Sequence, residues 1–321
     1  MRVVALHGNT VCDFLSGMPV PLPHVPSVVT VGSFDGLHVG HRKIIGTMID
    51  QARERNLRSV VVTFEPHPRL VLDQSAECPV RLLTTFDEKL SQFEAMKIDL
   101  LFVVRFDRQF ASRSSESFIR EVLVEMLGVR HVIVGYDHGF GSKRSGSGST
   151  LHSLGSECGF TVDVVGEVVV GSEPVSSTRI RDLLRSGRVK DANVCLGAPY
   201  MISGTVVEGR QRGRNIGFPT ANLSIPEPCK LLPAHGVYIA KVQLDGRFFP
   251  VMMNIGSRPT VSQDGEVTVE AHIIGYTGDL YGRFLVLHLI DFIREERRFD
   301  SFDELRQQLE QDKVSVLLYQ E

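Results

Sequence analysis

The sequence predicts an α/β domain on a parallel sheet over residues 1–190, followed by a mostly antiparallel β barrel with one terminal helix over 191–321. Three observations predict this. The chain has 321 residues, more than the roughly 100 to 200 of one ordinary domain, so two cores are expected. Short apolar runs alternate with helical patterns through the first half. From Tyr200 onward the hydrophobic period becomes two.

In the first half, Val28-Val29-Thr30-Val31 reads as a strand. An amphipathic helix with Ile44, Ile45, Met48, Ile49 and Ala52 follows, and then the strand Val60-Val61-Val62-Thr63-Phe64. The pattern continues with Leu100 to Val104, a helix carrying Phe118, Ile119, Val122, Leu123 and Met126, and the strand Val132-Ile133-Val134. Continuous apolar strands crossed by helices imply a sheet covered on both faces, with ligands beyond the carboxyl ends of its strands. A helical stretch after Ser176 ends at Gly187, suited to a left-handed cap. In the second half, Val237 to Leu244 and Phe248 to Met253 flank Asp245-Gly246, the signal of a type I′ hairpin. Further strands are expected at Glu266 to Ile274 and Phe284 to Ile290. Ser301-Phe302-Asp303-Glu304 then reads as a capping box.

The bulk numbers exclude several function classes. With 42% hydrophobic and 23% charged residues and a net charge of −3, no broad basic surface for nucleic acid is expected. Neither a signal peptide nor a stretch of ~18 apolar residues is present, which predicts a cytoplasmic protein without membrane association. The five cysteines are odd in number, scattered and never in Cys-x-x-Cys spacing, so reduced, structural thiols are expected.

After the first strong strand come Gly32-Ser33-Phe34-Asp35-Gly36-Leu37-His38-Val39-Gly40-His41. The glycines let backbone approach a ligand, and His38 and His41 fall three apart on the opening turn of a helix. Free N–H groups and the dipole attract phosphate there, and two imidazoles can donate to its oxygens. A capped helix start with surface histidines, or half of a metal site, fits the pair equally well. Ser176-Ser177-Thr178-Arg179-Ile180-Arg181 again sets hydroxyls and cations at a helix start and favours phosphate.

Together with Thr63-Phe64-Glu65-Pro66-His67-Pro68, Leu83-Thr84 and Glu88-Lys89, these segments resemble the FMN adenylyltransferase domain of bacterial bifunctional FAD synthetases, a Rossmann-like member of the nucleotidylyltransferase superfamily. The resemblance implies that His38, His41, Ser177, Thr178 and Arg181 hold and polarise the ATP phosphates, with Gly32, Phe34 and Asp35 lining the nucleotide site. It also implies flavin contacts at Pro66, His67 and Asp137, with His38, His41 and Arg181 acting in catalysis. In Gly135-Tyr136-Asp137-His138-Gly139 the sequence departs from the family, which usually has an aromatic residue after the acid and often a cation next.

Downstream, Gly209-Arg210-Gln211-Arg212-Gly213-Arg214-Asn215-Ile216-Gly217-Phe218-Pro219-Thr220-Ala221-Asn222 is glycine-rich and cationic, then offers a hydroxyl and an amide. Glycine N–H groups and arginines suit a nucleotide, and Thr220 and Asn222 offer hard oxygens to Mg²⁺. A solvated hairpin is the plain alternative. In Glu266 to Ile273, alternation puts Val267, Val269, Ala271 and Ile273 on one face and Glu266, Thr268, Glu270 and His272 on the other. Glu270 can then accept a proton from an attacking hydroxyl, or belong to a wet sheet face.

With Gly236-Val237-Tyr238, Asn254-Ile255-Gly256, Pro259-Thr260, Asp279-Leu280-Tyr281-Gly282 and Phe292-Ile293-Arg294, this half is similar to the riboflavin kinase module, a split barrel. The resemblance implies that Gly209, Arg214, Gly217, Thr220 and Asn222 bind ATP. It implies further that Thr220 and Asn222 hold Mg²⁺, Glu270 is the catalytic base and Arg294 lies on the flavin side. Ala271 stands where the family more often has Thr or Val. The expectation is therefore a bifunctional enzyme using ATP and Mg²⁺, with riboflavin and FMN as substrates and FAD as product, small molecules as partners and a possible weak homo-oligomer. A chain with one active domain, or a flavin-binding regulator without chemistry, are the other readings.

Overall fold

The structure, a computed structural model, describes residues 1–136, 148–209, 213, 217–257 and 267–319. The chain divides into two compact units, Met1–Ser176 and Ser177–Glu321.

In the first unit, strands β1 (Arg2–His7), β2 (Thr10–Asp13), β3 (Ser27–Val31), β4 (Arg58–Glu65), β5 (Leu100–Arg105), β6 (Val129–Gly135) and β7 (Thr161–Val165) form one sheet in the order β2-β1-β5-β4-β3-β6-β7. Every pair is parallel except β1 with β2. Successive strand residues enter different cores: Val29, Val60, Val62 and Phe102 pack in one cluster, and Val28, Val61, Leu101 and Val103 in another. This is how a parallel sheet covered on both faces produces unbroken apolar runs. Helix α1 (Val39–Glu54) buries Ile45, Met48, Ile49 and Ala52. The helices α2 (Pro68–Leu72) and α3 (Phe86–Ala95) follow β4, and α3 starts on a full capping box between Thr85 and Glu88. The stretch Phe118–Met126 winds as a π-helix.

The edge strand β7 is largely exposed, and His131 of β6 pins it. Its Nδ1 lies 2.5 Å from Thr161 Oγ1 and its Nε2 lies 2.9 Å from Asp163 Oδ2. A short two-stranded ribbon, β8 (Val169–Val170) with β9 (Glu173–Pro174), precedes the unit boundary.

The second unit opens with helices Ser177–Arg185 and Val189–Leu196, closed by Gly187 and Gly197 at φ 74° and 70°. Strands β10 (Tyr200–Val207), β11 (Ala221–Ser224), β12 (Gly236–Leu244), β13 (Arg247–Ser257), β14 (Val267–Ile273) and β15 (Phe284–Arg294) form a closed antiparallel barrel in the order β10-β11-β14-β13-β12-β15. Asp245 and Gly246 take φ 50° and 82°, the two positive values that a type I′ turn requires. The segment Ala221–Ser224, expected as part of a loop, is a barrel strand paired with β10 and β14.

The C-terminal helix Phe302–Leu318 packs Val316 and Leu309 against Phe218, Val237, Ile239 and Ile290 on the barrel. At its start, Ser301 Oγ accepts from Glu304 N at 3.2 Å, while Glu304 returns its carboxylate to Asp300 N rather than to Ser301. Asp312, 1% exposed, takes Arg294 in a forked pair, Nη2 to Oδ2 at 2.7 Å and Nε to Oδ1 at 3.1 Å. Removing one partner of such a pair strands a buried charge. Asp312→Ala is expected to cost about 3 kcal/mol in urea unfolding of the second unit. A loss below about 1 kcal/mol, the range of an exposed pair, contradicts this.

Against the expectation that all five cysteines are reduced, Cys78 and Cys229 are disulfide-bonded, while Cys12, Cys158 and Cys195 are free. Among the described residues no helix is long and apolar enough to cross a membrane.

Candidate active sites

The first site lies beyond the carboxyl ends of β3 and β4, where an open α/β sheet binds its ligands. Val31 hands the chain to a turn in which Phe34, Gly36 and Leu37 all take positive φ. That turn folds Asp35 inward, 3% exposed, where its Oδ1 accepts from the amides of Leu83 and Thr84 at 2.9 and 3.1 Å. Thr84 Oγ1 accepts in turn from Gly36 N at 3.1 Å, so the segment ahead of α3 is stitched to the turn ahead of α1.

His38 caps α1, its Nδ1 accepting from His41 N at 3.3 Å. The two imidazoles stack with centroids 3.6 Å apart and planes 17° apart, and Phe34 meets the His41 ring edge-on at 5.3 Å. Neither is the surface histidine of the plain reading. His38 is 7% exposed, and His41 Nδ1 is buried without a hydrogen-bond partner. Burial, then His38 and Lys89 nearby, hold the His41 pKa well below its usual 6.5, so the ring is neutral.

That neutrality links folding to pH. A histidine whose pKa falls on folding leaves the unfolded chain binding more protons, so its contribution is present above about pH 6.5 and is lost as pH falls below it. In His41→Asn, the fall in the urea midpoint between about pH 7 and pH 5 is expected to be shallower than in the parent chain. Equal slopes contradict the assignment.

His67 is buried and caps α2, its Nδ1 accepting from Arg69 N at 3.2 Å, while Pro66 follows Glu65 through a cis peptide bond. Gly32 approaches the Phe34 ring so closely that a Cβ would lie 3.0 Å from it. Lys89, 3% exposed, reaches Glu65 at 4.0 Å. Ser177, Thr178 and Arg181 occupy the first helix of the second unit, Arg181 being 8% exposed. Asp137, with His138 and Gly139, lies outside the described residues.

The second site lies on the barrel. Thr220, just before β11, donates from Oγ1 to Glu270 Oε2 at 3.1 Å. Cross-strand register sets Glu270 of β14 between Asn222 of β11 and Asn254 of β13. Asn254 Nδ2 donates to Glu296 Oε1 at 3.1 Å. His272, two residues along β14, donates from Nδ1 to Pro219 O at 2.8 Å and meets Phe218 edge-on, fixing the approach to Thr220. Gly209 passes so close to the Asn222 amide that a Cβ would fall 2.1 Å from Nδ2. Any larger residue there would force the Asn222 amide to turn away. Gly217 takes φ 88°, Arg214 lies outside the described residues, and Arg294 is held by Asp312. A hydroxyl, an amide and a carboxylate form an all-oxygen donor set that fits Mg²⁺, a hard cation taking few protein ligands and retaining water.

Sequence reasoning found the histidine pair, Thr220, Asn222 and Glu270. It quoted Asn254, His272 and Lys89 without a role and passed over Glu296, whose signal is spatial: it meets Asn254 from 42 positions away.

The family model of FAD synthetase matches residues 22–179, and that of riboflavin kinase matches 196–319. The Bacillus subtilis bifunctional riboflavin kinase/FMN adenylyltransferase is 36% identical over 91% of this chain and 92% of its own length. The Escherichia coli K12 protein of the same name is 39% identical over 92% and 93%. The chain belongs to the bifunctional riboflavin kinase/FMN adenylyltransferase family. A crystal structure described as a macrolide-efflux protein from Streptococcus pneumoniae superposes with a TM-score of 0.86 at 29% identity, covering all of both chains. The FAD synthetase match carries the histidine turn and runs past the unit boundary to include Ser177 and Thr178. The riboflavin kinase match carries the whole barrel site.

Proposed function

We propose that the chain phosphorylates riboflavin to FMN at the barrel site and adenylylates FMN to FAD at the histidine site, in modules spanning 191–321 and 1–190. The observation that carries this reading is the fall of the two family matches on the two segments that hold these sites.

At the barrel, Glu270 takes the proton of the terminal ribityl hydroxyl as that oxygen attacks the γ-phosphorus of ATP, and ADP leaves. Thr220 holds the carboxylate through its 3.1 Å hydrogen bond and, with Asn222, faces the nucleotide phosphates. Mg²⁺, when bound by Thr220 and Asn222, neutralises charge that develops on those phosphates. Gly209, Arg214 and Gly217 line the nucleotide loop. Arg294, anchored by Asp312, braces the flavin side.

At the other site, a phosphate oxygen of FMN attacks the α-phosphorus of ATP, and pyrophosphate leaves. No covalent help is needed, so positioning and charge stabilisation dominate. His38, His41, Ser177, Thr178 and Arg181 hold the phosphates, while Gly32, Phe34 and Asp35 shape the turn beneath them. Pro66, His67 and Asp137 face the flavin.

We place the enzyme in the cytoplasm, as a weak homo-oligomer without nucleic acid or membrane partners. A net charge of −3 supports the absence of a nucleic-acid partner, and among the described residues no helix is long and apolar enough to cross a membrane. The test of the second reaction is release of pyrophosphate from ATP on addition of FMN. One pyrophosphate per FAD is expected, and FAD without pyrophosphate, or no FAD, contradicts it.

A further inference from the structure

Lys89 is a buried cation with one loose ion-pair partner. It lies on α3 with a side chain 4% exposed, and Glu65, at the carboxyl end of β4, is its ion-pair partner. At 4.0 Å that contact brings no hydrogen bond, and no other hydrogen-bond acceptor meets the ammonium among the described residues. An ammonium has three donors, and removing it from water is costly unless charge and hydrogen bonds compensate. Burial lowers its pKa, against the pull of Glu65 and Asp35, and its field reaches His41. The cation therefore stands at the ligand-binding end of the sheet, near His41, whose Nδ1 is buried without a hydrogen-bond partner. A buried cation short of hydrogen-bond acceptors near that ring describes a pocket that anionic oxygen would complete.

We propose that Lys89 is a substrate-binding residue of the adenylyltransferase site, taking a phosphate oxygen and exchanging its loose contact with Glu65 for it. This rests on the adenylyltransferase reading above. The oxygen belongs either to the nucleotide or to the flavin phosphate, and kinetics separates the two. Bound phosphate would supply the charge that Glu65 supplies poorly, and Glu65 is then a competitor for the same ammonium. Substitutions at Lys89 and Glu65 thus act with opposite sign, which a purely structural ion pair does not produce.

The test uses the full-length protein with supplied FMN, ATP and Mg²⁺. Lys89→Met, close in length but neutral, is expected to raise the KM of one phosphate-bearing substrate at least tenfold. A change confined to ATP assigns the oxygen to the nucleotide, and one confined to FMN assigns it to the flavin. Lys89→Arg is expected to recover most of the loss. Glu65→Gln is expected to lower the same KM, and it stands as the test should Lys89→Met fold poorly. Unchanged KM values in Lys89→Met, or a raised or unchanged KM in Glu65→Gln, overturn the inference. Failure of the underlying reading is separate and shows in the parent chain, which would then form no FAD from FMN.

Discussion

Glu270→Gln is expected to reduce formation of FMN from riboflavin by roughly 10²- to 10⁴-fold, the contribution of a positioned general base, while conversion of supplied FMN to FAD stays near the parent rate. The substitution keeps the side chain's shape and an oxygen that can accept from Thr220 Oγ1, so the barrel stands and only the proton acceptor is lost. Glu270 lies between Asn222 and Asn254 in the ladder and is partly exposed, so a hydroxyl can reach it from outside the sheet. Both rates are measured on one preparation by separating riboflavin, FMN and FAD. Loss of the two reactions in equal measure contradicts a separate kinase site.

His41→Ala is expected to give the opposite pattern. Conversion of FMN to FAD falls by roughly 10²- to 10³-fold, the effect of removing one preorganised donor from a site where charge develops, and riboflavin phosphorylation is spared. The neutral imidazole stacks on His38 with Nδ1 buried, so the ring and its single N–H are oriented before substrate arrives. Some stability goes with the ring, because Phe34 loses its edge-on neighbour. A subunit-wide collapse would instead carry the kinase rate down with it, which distinguishes the two causes.

Much of this was legible in the sequence where burial leaves a periodic trace. Strands β3, β4, β5 and β6 are covered on both faces, and they appear in the sequence as unbroken valine- and leucine-rich runs. The Asp245-Gly246 turn was legible because local backbone chemistry alone decides it. Other elements were not. β1 buries Val4, Ala5 and Leu6, yet its partner β5 begins at Leu100, and no local signal connects them. β7 is exposed at the sheet edge, and β11 has four residues, so each is defined by its neighbours rather than by its own pattern.

The sites divide in the same way. His38 and His41 share one helical turn and reveal themselves by spacing. Thr220 and Glu270 meet from 50 positions apart, so only the resemblance of their surrounding motifs linked them before the barrel register did. Arg294 shows the limit most clearly. The resemblance implied a place for it on the flavin side, but gave no sign that its fork pairs with Asp312, a residue of the terminal helix that the motif does not contain. A long-range ion pair leaves no spacing to read.

On this reading one chain carries two sequential chemistries at two sites. The most direct measurement is the time course of flavins formed when the purified protein is incubated with riboflavin, ATP and Mg²⁺. FMN is expected to appear first and FAD to follow with a lag, each product consuming its own ATP. FMN that never becomes FAD would contradict the adenylyltransferase half, and riboflavin left unchanged would contradict both.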